Sequence, residues 1–296
     1  MTSVVNKLYS QKLINPPSWL PTNTMFEGWT GSVAYGASDN YSDIDVVGFC
    51  IPHKNNVFPH LTGEILGFGK QTKPFEQWQK HHIKTNDLNK EYDITIYSIV
   101  KFFQLTMENN PNMVDNLFLP RRSILHSTSI YEYVRDNRKL FLHKGCWHKF
   151  RGYALSQMTK INSGANHANN KRQESVDKFG YDVKFAYHCV RLLLECGQIF
   201  DTGDLILDRD SKVYLSIRAG EWSLKQINNW MDHKLIDLEY SYTHSKLREA
   251  PDEQVIYNIL VNCLEEHFGS LSEVISNPSK NDNLYKDLQQ LMDKYR

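Results

Sequence analysis

The sequence predicts an α+β fold in which an amino-terminal lobe built on a mixed sheet is followed by a mainly helical lobe. Three observations predict it. Runs rich in β-branched and aromatic residues fall before Ser98, a helical apolar period takes over after it, and 296 residues reach the limit of what one hydrophobic core holds. The boundary is placed near residue 140, which gives an amino-terminal unit 1–140 and a helical unit 141–296.

Residues 1–25 hold Pro16, Pro17 and Pro21 with little periodicity, and predict an irregular lead-in. Phe26 to Thr30 is short and aromatic and breaks at Gly31-Ser32. Asp43 to Ile51 (Asp-Ile-Asp-Val-Val-Gly-Phe-Cys-Ile) predicts a strand, and Glu64 to Gly69 a further short one. Tyr92 to Tyr97 predicts another, with Asp93, Thr95 and Tyr97 on one face. From Ser98 the positions of Val100, Phe103, Leu105 and Met107 predict a helix that stops at Asn110-Pro111. Strand signals then fade, and helices are predicted over Ile130–Leu140, Trp147–Ile161, Val183–Phe200, Leu224–Leu238 and Glu253–Phe268. Asn162 to Val176, polar and interrupted by Gly164, predicts a loop.

Several classes are disfavoured. No run of about 18 apolar residues and no basic-then-apolar leader appear, so a membrane span or export is not expected and the chain reads as cytoplasmic. Five cysteines without a Cys-x-x-Cys pair argue against a disulfide framework and a zinc site, and predict reduced, buried thiols. The Asn40-Tyr41-Ser42 sequon is treated as chance. Net formal charge is zero, yet His143 to Arg191 holds nine Lys/Arg against three Asp/Glu, an excess of six that suits phosphate groups.

In Ser42-Asp43-Ile44-Asp45, a two-residue spacing on a strand turns both carboxylates to one face. Side by side they repel, and a divalent cation between them removes the repulsion; oxygen-only ligands suit Mg²⁺. The upstream Gly31-Ser32 supplies what an anion needs, a backbone that can be approached closely and a hydroxyl donor, at the start of a turn aimed at a triphosphate. Two-metal phosphoryl chemistry calls for a third carboxylate. Asp93 is the candidate, with Glu91 and Glu64 as weaker alternatives.

These residues resemble the glycine-serine and Asp-x-Asp signature of the DNA-polymerase-β nucleotidyltransferase superfamily. The rest of the chain is similar to the RNA-ligase-associated predicted nucleotidyltransferase family (RlaP, or YcgL-like). Asp93-Ile94-Thr95-Ile96-Tyr97, Lys101-Phe102-Phe103 and Asn110-Pro111-Asn112 resemble its third-carboxylate strand and the helix that follows. Phe150-Arg151-Gly152-Tyr153-Ala154 with Gln157, and Gly180-Tyr181-Asp182-Val183-Lys184 with His188 and Arg191-Leu192-Leu193, resemble its second-lobe patterns, so the likeness spans roughly 26–230. One departure is Asp115, where glutamate is expected.

The resemblance implies a polymerase-β-like lobe and metal-dependent transfer of a nucleoside monophosphate. Asp43, Asp45 and Asp93 would be catalytic and hold two Mg²⁺ (or Mn²⁺) ions, while Gly31, Ser32 and Ser42 would bind the phosphates of a nucleoside triphosphate. Lys184, His188, Arg191 and Glu195 share one helix stripe, either a solvated face or a clamp on the outer phosphates, and Lys101 is within reach of a phosphate or of Glu108. An RNA or tRNA end is the first-choice acceptor. A protein hydroxyl or a small molecule is the alternative, and a non-catalytic nucleotide- or RNA-binding protein is the rival class. Retention of three mutually repelling carboxylates argues against that rival.

Overall fold

Five strands form the sheet: β1 (Thr24–Trp29), β2 (Ile44–Cys50), β3 (Gln77–Thr85), β4 (Leu88–Ser98) and β5 (Ile124–Ser127), in the order β3-β4-β2-β1-β5. The pairs β1/β2, β1/β5 and β3/β4 are antiparallel and β2/β4 is parallel, so the sheet is mixed, as the sequence predicts. The computed structural model describes residues 3–38, 44–57, 74–85, 88–162, 170–269 and 291–292. The strand predicted over Glu64–Gly69 lies outside them.

Alternation decides which way each strand residue faces. Ile44 and Val46 of β2 and Ile94 and Ile96 of β4 are buried on one face, against Val5, Leu8, Ile14 and Leu20. Asp45 and Val47 on β2, and Asp93, Thr95 and Tyr97 on β4, turn to the other face and line a cavity. Further along that face Phe49 is fully buried against Phe102, with ring centroids 5.0 Å apart. The face is therefore polar at its entrance and aromatic at its end.

The lead-in is not irregular throughout. Val4–Ser10 forms helix α1 and Leu20–Asn23 a single turn, α2. Seven residues are too few for helix propensity to sustain α1 alone. It stands on the Ser3 cap, whose hydroxyl accepts from Asn6 N–H at 3.0 Å, and on Val5 and Leu8 buried three residues apart. The buried Glu27 carboxylate of β1 accepts from the Ser3 hydroxyl and from Val4 N–H at 2.5 Å, tying the helix start to the sheet.

After the single turn α3 (Lys54–Val57), α4 (Ile99–Met107) follows β4 under a Ser98 cap, and α5 (Pro111–Leu117) starts at an Asn110 cap with proline in its first turn. Then come α6 (Ser129–Asp136), α7 (Cys146–Asn162), α8 (Asn170–Phe179), α9 (Val183–Thr202), α10 (Ser211–Arg218), α11 (Leu224–His244) and α12 (Glu253–Phe268). The loop expected over 162–176 is corrected at its far end, because α8 begins at Asn170; 163–169 lie outside the described residues. A helix with so few apolar residues offers no period to read. Asp182 caps α9, its carboxylate accepting from Lys184 and Phe185 N–H, and Gly203 ends it in the left-handed region at φ +61°.

One apolar core runs from Met25 to Leu264 and crosses residue 140, with Phe103 edge-on to Phe141 at 5.2 Å. α9 lies at its centre and is buried nearly all round from Ala186 to Phe200. All five cysteines are free and buried. Among the described residues no helix is long and apolar enough to cross a membrane.

Candidate active site

Parallel pairing of β2 with β4 sets Asp45 directly opposite Asp93. Register partners on adjacent parallel strands share a face and lie about 4.8 Å apart. Both line a cavity of about 570 Å³ between the sheet, α5, α7 and α9.

Gly31 opens a 3₁₀ turn, Gly31–Val33, directly after β1. Its φ of +71° is one that L side chains rarely adopt, and a β-carbon there would lie 3.0 Å from Asp45 Oδ2. Thr30 N–H donates to the Asp45 carbonyl at 2.9 Å and fixes the turn against the strand. Only glycine therefore lets this turn sit beside that carboxylate. Ser32 lies in the turn, its carbonyl accepting from Ala37 N–H at 2.8 Å. Ser42 and Asp43 lie outside the described residues.

Asp93 is held by a feature the sequence does not announce. The β3/β4 ladder shifts register between Lys80 and Ile83, and His82 has φ +55°. This bulge turns His82 N–H toward Asp93 Oδ1, at 2.7 Å, and brings His81 Nδ1 to 3.6 Å from Oδ2. Glu91 is engaged elsewhere, with His82 Nδ1 at 2.9 Å and Lys84 at 3.5 Å, and that His82 contact holds its carboxyl below the usual range. Glu91 is not among the cavity-lining residues, and Glu64 lies outside the described ones.

The expected phosphate stripe on α9 divides. His188 lines the cavity, half-buried, its ring 4.9 Å from that of Tyr187. Arg191 also lines it but is 3 % exposed, and its Nη1 lies 2.7 Å from Asp115 and 2.8 Å from both Glu195 oxygens. Lys184 is exposed in the first turn and is not among the lining residues. Lys101 is not among them either; its Nζ lies 3.7 Å from Glu76, while Glu108 pairs with Lys149. The reason for the division is packing: α9 is a core helix, so charges past its first turn had to find partners inside the protein.

The buried cluster reaches back to the glycine turn. Tyr35 donates its hydroxyl to Asp115 Oδ2 at 2.6 Å, and the Arg191 guanidinium lies over its ring, 4.2 Å from the centroid. Burial pushes the Tyr35 phenol well up, so it stays a donor. Burial also raises the Asp115 carboxyl and brings Glu195 up to about 8, in both cases against the pull of Arg191. Asp115, where a glutamate was expected, is thus the acid that joins turn, α5 and α9.

The cavity carries donors suited to anions, Gly31 beside Asp45 and His188 and Lys160 on α9 and α7, together with the two acids. Carboxylate oxygens side by side are hard ligands of the kind that suit Mg²⁺ or Mn²⁺. Among the described residues no group of three or more His, Cys, Asp or Glu could hold a metal, and Asp43 is not one of the described residues.

No curated protein matches the sequence. A nucleotidyltransferase-like protein from Exiguobacterium sibiricum 255-15 aligns in structure over 81 % of this chain and 73 % of its own, at 10 % identity and a TM-score of 0.29. The sequence carries the relationship instead: the family model matches residues 9–292, and the chain belongs to the RNA repair pathway DNA polymerase beta family (RlaP), whose members are polymerase-β-like nucleotidyltransferases.

Proposed function

We propose that the protein transfers a nucleoside monophosphate from a nucleoside triphosphate to an acceptor hydroxyl, with an RNA or tRNA end as acceptor and two Mg²⁺ ions, replaceable by Mn²⁺, as cofactors. The observation that carries this reading is the pairing of Asp45 with Asp93 on one cavity face beside the Gly31 turn. The RNA repair pathway in the family's description supports the acceptor.

Asp45 and Asp93, with Asp43, would hold the cations; bound there, divalent ions neutralise phosphate charge and make a hydroxyl easier to deprotonate. The acceptor oxygen forms a bond to the α-phosphorus as the bond from that phosphorus to the bridging oxygen breaks, and pyrophosphate leaves. Asp93, oriented by His82 N–H, takes the acceptor's proton. The Gly31 turn binds the outer phosphates through backbone N–H groups, and His188 and Lys160 face them across the cavity. The Arg191 cluster holds the turn in place through Tyr35 rather than touching phosphate itself.

The test is incubation of the protein with each α-labelled triphosphate, Mg²⁺ or Mn²⁺, and total cell RNA or total protein. Label on RNA is expected, lost in Asp45→Asn. Label on protein alone would replace the acceptor, and no transfer with any triphosphate would overturn the reading.

A further inference from the structure

The active-site cavity does not end at α7. A second cavity of about 510 Å³ runs along that helix, lined by His148, Lys149, Gly152, Tyr153, Ser156 and Lys160, and it shares Tyr153, Gln157 and Lys160 with the first. The two cavities thus meet along α7 at those three side chains. The buried side of α7 is Trp147, Phe150, Ala154, Met158 and Ile161. Its other side is exposed and carries Lys149, Arg151 and Lys160, and the helix contains no Asp or Glu between Cys146 and Asn162.

Gly152 is the unexplained residue. It stands exposed in the middle of α7, and a β-carbon built on it meets nothing within 4 Å. A helix interior disfavours glycine more than any residue except proline, and here no neighbouring atom among the described residues excludes a side chain. A ligand that must lie close against the helix backbone accounts for it. Lys149 sits one turn before Gly152 and Ser156 one turn after. Tyr153 beside it exposes 38 % of its surface.

The geometry points to a track for single-stranded RNA along α7, with Gly152 at its closest approach, leading the acceptor's end to Asp45 and Asp93. The inference rests on RNA as the acceptor. Lys149 meets the backbone phosphates, and Tyr153 offers an aromatic face on which an unpaired base stacks. Lys149 is released readily to a phosphate, since its partner Glu108 is 3.4 Å away and both are 44 % exposed. A duplex, whose base faces are already stacked, has no use for Tyr153.

The test uses the full chain, a fluorescent single-stranded RNA of about 12 nucleotides, and a non-hydrolysable triphosphate. Gly152→Phe fills the groove and is expected to weaken RNA binding at least tenfold while triphosphate binding stays within twofold. Lys149→Gln is expected to lower the slope of log affinity against log salt by about 0.7. Gly152→Ala, with a melting temperature at or above the parent's, shows that the helix accepts a side chain there. RNA affinity unchanged within twofold in both Gly152→Phe and Lys149→Gln would overturn the track, as would equal loss for RNA and triphosphate, or a duplex that binds as well and loses as much. Failure of the track leaves nucleotide transfer to RNA by the parent chain in place; failure of the proposed function abolishes that transfer itself.

Discussion

Asp45 and Asp93 face each other across the parallel β2/β4 ladder and open onto the same cavity. Parallel pairing turns both side chains to one face at every step, so two acids in register cannot avoid one another. Asp45→Asn and Asp93→Asn should each lower nucleotide transfer by at least about 100-fold. Removing one of two like charges should leave the melting temperature unchanged or raised without metal. Turnover near the parent's in either variant, at saturating Mg²⁺, would remove these acids from the site.

Gly31→Ala tests the turn. The substitution puts a β-carbon 3.0 Å from Asp45 Oδ2 on a backbone with φ +71°. It should cost about 1–3 kcal/mol of stability from strain and about 100-fold in transfer from lost positioned donors. Denaturant titration and steady-state kinetics read the two effects separately.

Arg191 and the two outlying lysines should behave oppositely. Arg191→Met leaves Asp115 and Glu195 buried without their cation and should destabilise the fold by about 3–5 kcal/mol. Lys101→Met and Lys184→Met, at positions that do not line the cavity, should leave stability within about 0.5 kcal/mol and the triphosphate KM within about twofold. A large KM increase in Lys184→Met with intact folding would restore it to the phosphate site.

Burial raises the Glu195 carboxyl from 4.5 to about 8. The folded protein therefore keeps a proton that the unfolded chain releases, and the associated stability is complete below about 4.5 and is lost as pH rises toward about 8. Glu195→Gln, which stays neutral, should flatten that decline. His267, lowered by burial, changes stability the other way. The difference between parent and variant in denaturant midpoints from about pH 5 to 8 is thus the quantity to measure.

The strands most legible in the sequence were those with dense apolar alternation, β2 and β4, and the helices with an unbroken apolar stripe, such as α9 and α12. β3 escaped because only Ile83 of its nine residues is buried, so its pairing rests on backbone hydrogen bonds that leave no side-chain pattern. α1, α5 and α10 are seven or eight residues long, too short for a period to establish itself. In the site, the Gly31 turn and the strand positions of Asp45 and Asp93 were legible as local motifs, while Asp43 lies outside the described residues. Glu195, four residues on from Arg191 in the same stripe, was within reach of the sequence as its partner, whereas Asp115 and Tyr35 were not, because Asp115 lies 76 positions from Arg191 and 80 from Tyr35.

The β3 bulge also bears on solubility. β3 is one of the two outer strands of the sheet among the described residues, and an outer strand offers its unpaired amides and carbonyls to any passing chain. The kink at His82, with Lys80, His81 and Lys84 exposed around it, makes a poor template for a straight incoming strand. Deleting His82 to straighten the ladder should therefore do two kinds of harm at once: Asp93 would lose its backbone donor, and the protein would begin to self-associate through this border, visible as concentration-dependent light scattering.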